Sequence, residues 1–327
     1  MENSTPNLEK LLAESCSDES RAALVSKLIT EMKIPAEYEK AGQMLQQKVA
    51  VVTDSTADFP PGMAEKLGIK VVPLYVRFGE EEYLDRINLS SDEFFVKLKK
   101  SKVLPMTSQP TPTDFLTAYK EIGKETEKII SLHASSKLSG TFNSAMIAKK
   151  EFPDSFDIRV IDSQTLSLSL GFLAMEAAEM ARAGESIDDI EEEINNFIPK
   201  TRLYGVLDTL HYLAKGGRIG AASSLLGSIL QVKPIIKIQN GEVIPVEKLR
   251  TKKRAIARLI EIVREVQQEG EIVRIGVLHA AAEGEAKELA AQLKEVYHNT
   301  EIPIVQTGTV IGTHSGPGLV GISYLLK

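Results

Sequence analysis

From Lys48 onward, short β-branched runs alternate with helical patterns, and this alternation limits the fold of the chain more than any other feature. Lys48–Thr53, Lys70–Val76, Lys128–Leu132 and Ile158–Ile161 read as strands. Between them, Thr111-Pro112-Thr113-Asp114 forms a capping box with proline at the first helical position. Ile187, Ile190, Ile194 and Phe197 fall on one helical face. Parallel strands need a crossover, usually a helix, so this alternation predicts an α/β fold with a mainly parallel sheet in the first half.

The second half carries a different pattern. Ile235–Gln239, Asn240-Gly241 and Val243–Val246 predict a hairpin, since Asn and Gly tolerate the positive φ of a two-residue turn. A helix is expected from about Thr251, with Ala255, Leu259, Ile260, Val263 and Val266 on one face and Gly270 as its stop. Ile272–Leu278 and Ile302–Val305 add strands, so the second sheet is expected to be mixed. Residues 1–45 hold five Lys/Arg and eight Asp/Glu but no strand-like run. With helix starts at Thr5-Pro6 and Ile34-Pro35, and Leu24, Leu28 and Ile29 as a stripe, they read as a helical extension. The expected organisation is that extension (1–45) followed by two α/β domains, 46–205 and 206–327.

Length and charge narrow the function. The chain has 327 residues, enough to bury a core and still enclose a ligand. A net charge of −6 argues against nucleic acid as a partner. Cys16 is the only cysteine, which fits a thiol in a reducing cytoplasm and leaves no cysteine-based metal site. No run approaches the roughly 18 apolar residues of a membrane span, so stable insertion is not expected. His133, His211, His279, His298 and His314 show no metal-binding spacing. Gly316-Pro317-Gly318-Leu319-Val320-Gly321 matches the dinucleotide pattern but has too few residues after it for the unit that pattern opens. There is no phosphate-binding P-loop and no nucleophile elbow.

Four polar clusters follow strands, where ligands bind in open α/β sheets. They are Thr53–Thr56, Thr107–Pro110, Ser135–Thr141 and Gly312–Gly318. Hydroxyls and backbone N–H groups at helix starts suit an anion. Gly140 would admit backbone close to a ligand. Arg218, flanked by glycines, offers paired donors to a carboxylate, and His314 offers another from a glycine-rich loop. Each cluster also reads as ordinary helix capping. Residues 206–258 carry ten Lys/Arg against three acids, either a solvated face or a docking surface for an acidic protein.

Seven segments in order make this chain resemble the DegV family: Val52–Asp58, Thr107–Pro110, Leu138–Thr141, Val160–Ser163, Gly216–Ile219, Lys233–Ile235 and Gly312–Gly318. The resemblance spans about residues 46–327. It implies a two-domain protein enclosing a long-chain fatty acid, with the carboxylate held by Thr107, Ser108, Ser139, Gly140, Arg218 and His314. It further implies a binding subunit, itself neither an enzyme nor a cofactor carrier, whose cargo a separate ATP-binding fatty acid kinase subunit phosphorylates for phospholipid synthesis. Two other readings stand beside it: a hydrolase with Ser139 as nucleophile and His314 as base, and a lipid-responsive regulatory sensor.

Overall fold

The computed structural model describes residues 49–225, 232–266, 270–297 and 302–327. The expected extension over 1–45 lies outside the described residues. In chain order, the first half contains β1 (Val49–Asp54), α1 (Met63–Leu67), β2 (Lys70–Val72), β3 (Tyr75–Phe78), β4 (Glu81–Leu84), α2 (Ser91–Lys100) and β5 (Met106–Ser108). It continues with α3 (Pro112–Ile122), β6 (Lys128–His133), α4 (Thr141–Glu151), β7 (Asp157–Asp162), α5 (Ser167–Ala183) and α6 (Ile187–Phe197). The second half contains β8 (Thr201–Val206), α7 (His211–Lys215), β9 (Lys233–Gln239), β10 (Glu242–Leu249), α8 (Lys252–Val266) and β11 (Ile272–His279). It ends with α9 (Glu283–Val296), β12 (Ile304–Gln306), α10 (Thr309–Ser315) and β13 (Val320–Leu326).

The first half is built on a four-stranded, wholly parallel sheet, β2-β1-β6-β7. β6 is buried from Ile129 through His133, as a strand covered on both faces must be. The second half is a mixed six-stranded sheet, β10-β9-β8-β13-β11-β12, in which only β11 and β12 pair in parallel. The fold is therefore the expected α/β architecture of a parallel and a mixed sheet. β8 belongs to the second sheet from Thr201 on, so the change of sheet precedes residue 206.

Two elements depart from expectation. The run Lys70–Val76 is two strands, not one: β2 joins the parallel sheet, and β3 joins β4 and β5 in a small antiparallel sheet. Pro73 lies between them and has no N–H to continue a ladder. The stretch around His314, expected as a loop, is the helix α10. Other local signals give the elements they predict. Thr111 and Asp114 complete the capping box of α3. Asn240 and Gly241 turn the β9–β10 hairpin at φ 50° and 79°.

α5 joins the halves. Its first twelve residues are buried except Glu176, and it packs against β1 and β6 on one side and β8, β11 and β13 on the other. Ser169 Oγ shares a 2.7 Å hydrogen bond with Ser323 Oγ of β13. A Cβ at Gly171 would lie 2.1 Å from the Asp58 carbonyl oxygen, so only glycine lets α5 approach the loop after β1. Among the described residues, no helix is long and apolar enough to cross a membrane.

Candidate functional site

Between the two sheets, where α5, α7 and α10 meet the strand ends, lies a cavity with mostly aliphatic walls. Leu138, Leu203, Ile236, Leu278, Val310 and Leu319 are among its lining residues, drawn from both halves. Five of the six expected site residues line it: Thr107, Ser108, Ser139, Arg218 and His314. They come from four separate segments. β5 supplies Thr107 and Ser108, the loop before α4 supplies Ser139, the turn after α7 supplies Arg218, and α10 supplies His314.

These polar groups are mutually engaged. Thr107 Oγ1 and His314 Nε2 share a 2.8 Å hydrogen bond. Ser139 Oγ shares one of 2.8 Å with Thr141 Oγ1 and accepts the Thr141 N–H at 3.3 Å. Arg218 donates from Nε to the Leu138 carbonyl at 3.2 Å and from Nη1 to the Gly216 carbonyl at 2.8 Å. The guanidinium is thereby fixed beside the serine loop. Burial, reinforced by the Arg218 charge, pushes the His314 imidazole down to about 4, so the ring is neutral near pH 7. Its Nδ1 is buried without a hydrogen-bond partner among the described residues. It rests on Gly216, where a Cβ would lie 2.2 Å away. The arrangement is a neutral imidazole, hydroxyls and the fixed Arg218 guanidinium, with Lys237 also in the wall, facing a mostly apolar space, which suits an anion with a hydrocarbon tail.

Gly140 is not among the lining residues. It is the N-cap of α4, and a Cβ there would lie 2.7 Å from Nε2 of Gln109, a residue that does line the cavity. Its lack of a side chain therefore admits Gln109. The first polar cluster also turns inward. Thr53, Asp54, Ser55 and Thr56 are at most 3% exposed, and of these only Thr56 lines the cavity. Asp54 accepts from the Thr56 N–H and the Ala134 N–H, both at 3.0 Å, and contacts His133 Nδ1 at 3.1 Å. His133 Nε2 continues to Ser131 Oγ at 2.7 Å and then to Tyr119 OH at 2.8 Å. Burial raises the Asp54 carboxyl, but His133, Thr56 and Ala134 together hold it below its ordinary value. The sequence marks these residues as polar but does not reveal that they face inward.

Ser139 and His314 each hydrogen-bond a threonine, and no Ser139–His314 hydrogen bond forms among the described residues. No group of three His, Cys, Asp or Glu side chains is arranged to hold a metal ion among the described residues. The basic stretch is partly neutralised by acids from within and beyond it. Lys233 pairs with Asp208 at 2.8 Å, Lys252 with Glu285 at 2.9 Å, and Arg258 with Glu247, Glu261 and Glu265.

Known proteins with this architecture bear on the site. Protein DegV of Bacillus subtilis is 40% identical over 280 residues, 85% of this chain and 99% of that protein. A solved structure described as the fatty acid binding of a DegV family protein from Thermus thermophilus superposes with a TM-score of 0.81 at 32% identity, covering 86% of this chain and all of that one. The crystal structure of DegV from Bacillus subtilis, described as a fatty acid binding protein, gives a TM-score of 0.79 at 39% identity over 86% of this chain and all of that one. The family model described as "Uncharacterised protein, DegV family" matches residues 48–327. The chain therefore belongs to the DegV family.

Proposed function

We propose that this protein encloses one long-chain fatty acid between its two sheets and presents the carboxylate to a separate ATP-using kinase subunit, which converts it to an acyl phosphate. The observation that carries this reading is the meeting of Thr107, Ser108, Ser139, Arg218 and His314 at a cavity whose walls are mostly aliphatic. Each methylene removed from water contributes about 0.8 kcal/mol, so a long chain has a gross drive on the order of 10 kcal/mol into such a space. The carboxylate cannot follow unpaired. Arg218 supplies charge, and Thr107, Ser108, Ser139 and His314 supply donors. Fatty acid binding by the two structural relatives supports the same reading. The division of labour with a kinase is consistent with a sequence that has carboxylate-binding groups but no P-loop.

The test compares a fatty acid with its methyl ester, which keeps the chain and loses the charge. Hydrogen bonds to a charged group contribute roughly 1.5–3 kcal/mol, so the ester should bind at least about tenfold more weakly. With the kinase subunit and ATP, acyl phosphate should form from the bound acid. Equal affinity for acid and ester would show that these residues do not hold the carboxylate.

A further inference from the structure

α10 lies in the second half of the sequence, yet the first half grips it along its length. At its start, Asp58 Oδ1 accepts the Gly308 N–H at 3.0 Å. Asp85 Oδ1 accepts both the Thr309 N–H at 2.8 Å and the Thr309 hydroxyl at 2.7 Å. Both aspartates are at most 1% exposed. Asp58 is itself fixed by the Ser167 hydroxyl and the Arg86 guanidinium, and Arg86 also reaches the Gln306 carbonyl at 3.3 Å. Arg86 adopts φ 62°, a left-handed conformation that side-chain-bearing residues rarely take and that surrounding contacts must enforce. A Cβ at Gly308 would lie 2.9 Å from Arg86 Nε and 3.1 Å from Asp85 Oδ2, so the cluster closes directly onto the helix start.

The grip continues along the helix. At Gly312 a Cβ would meet Phe94 at 2.8 Å and Phe95 at 2.9 Å, so the α2 rings press on the α10 backbone itself. At the far end, His314 meets Thr107 of β5. The same half of the molecule therefore holds α10 at its first residues, its middle and its last turn. A seven-residue helix has little internal stability, so these contacts, together with those of α7, set where it sits.

We infer that Asp85, with Asp58 and Arg86 behind it, is a positioning residue that sets α10 along its axis and so fixes the His314 imidazole against Thr107 and the cavity. The carboxylates are at the helix start and the imidazole is five residues on, roughly 7.5 Å along the axis. Asp85 does not touch the cavity and acts only through the helix. A slip of about 1 Å would break a hydrogen bond of the Thr107–His314 kind. The inference rests on the proposed head-group role of His314 for its consequence in binding, but not for its geometry.

The test is nitrogen-detected NMR of the His314 ring in the full chain, titrated with pH and assigned through His314→Gln. In Asp85→Ala, α10 is released and the ring gains water, so its pKa should rise by at least about one unit toward the ordinary histidine value. In Asp85→Asn the amide oxygen can still accept from Thr309, and the ring should titrate close to wild type. A general loss of stability would not produce this pattern of loss and rescue. If Asp85→Ala does not fold, Thr309→Val removes one of the two bonds to Asp85 and should raise the pKa in the same direction by less. A His314 titration unchanged in Asp85→Ala, or in Thr309→Val where that variant is used, overturns the inference. A second readout uses a fatty acid labelled at the carboxyl carbon. In Asp85→Ala its resonance should move toward that seen with His314→Ala. If His314→Ala leaves the resonance unmoved, the head-group reading fails, and the ring titration still decides the role of Asp85.

Discussion

Gly216→Ala is the sharpest probe of the site because it adds one methyl group and removes no polar atom. Gly216 sits at φ −76°, ψ −6°, a conformation open to alanine, so the backbone is not strained. The new Cβ would lie 2.2 Å from His314 Nδ1 and 2.8 Å from Cε1. Ordinary contacts need about 3.5 Å, so the ring must recede by about 1.3 Å. A ring displaced by that much cannot keep a 2.8 Å hydrogen bond in its normal range of length and angle, and Thr107 loses its partner. Overpacking of this kind costs about 1–3 kcal/mol of stability. The carboxylate should lose about 1.5–3 kcal/mol of binding, roughly 10- to 150-fold in Kd, while the chain drive retains measurable affinity. Calorimetric titration with a long-chain fatty acid reads this directly. Gly284→Ala, where a Cβ meets nothing within 4 Å, serves as the control and should bind as wild type. Wild-type affinity in Gly216→Ala would refute the role assigned to His314.

Other outcomes follow from the same geometry. Ser139→Ala should keep bound fatty acid but hold its carboxylate loosely, so kinase-coupled acyl phosphate formation should fall more steeply than lipid occupancy measured on the same preparation; equal falls would contradict this. The protein should lose stability on acidification. His314 has a folded pKa of about 4, below its unfolded value, so the unfolded chain binds the extra proton. Its contribution is complete above about pH 6.5 and is lost as pH falls toward 4, by up to about 1.4 kcal/mol per pH unit. Asp54, held low, contributes above its ordinary carboxylate value and loses that contribution only at still lower pH. Denaturant melts of wild type and His314→Gln across this range should show a shallower acid slope in the variant, and parallel slopes would count against a buried neutral imidazole.

Local signals in the sequence translate directly into local structure. The α3 capping box, the Asn240-Gly241 turn and the apolar stripe of α8 depend on neighbours within a few residues. Long-range pairing is less legible. β13 is buried throughout and inserts between β8 and β11, partners more than forty residues away in sequence. The α10 helix contains Gly312 and follows Gly308, a composition that favours a loop; the carboxylates of Asp58 and Asp85 and the rings of Phe94 and Phe95 make it a helix. The same limit applies to the site. Thr107, Ser108, Ser139, Arg218 and His314 were legible as polar residues at strand ends and turns, and they do line one cavity. Gly140 and Asp54 carry the same local signature but serve packing and a buried network, a distinction that only the direction of the backbone decides. The positive stretch also reads as a continuous surface until Asp208 and Glu285 are seen to fold onto it.

The proposed function requires a fatty acid in the space between the sheets. Mass spectrometry of the purified 327-residue chain tests this, comparing the mass under native conditions with the lipid released on denaturation. The native mass should exceed that of the chain by one fatty acid, released as a long-chain carboxylic acid and depleted in a Gly216→Ala and Arg218→Ala double variant. A protein that carries no fatty acid and takes none up on incubation with one would contradict it.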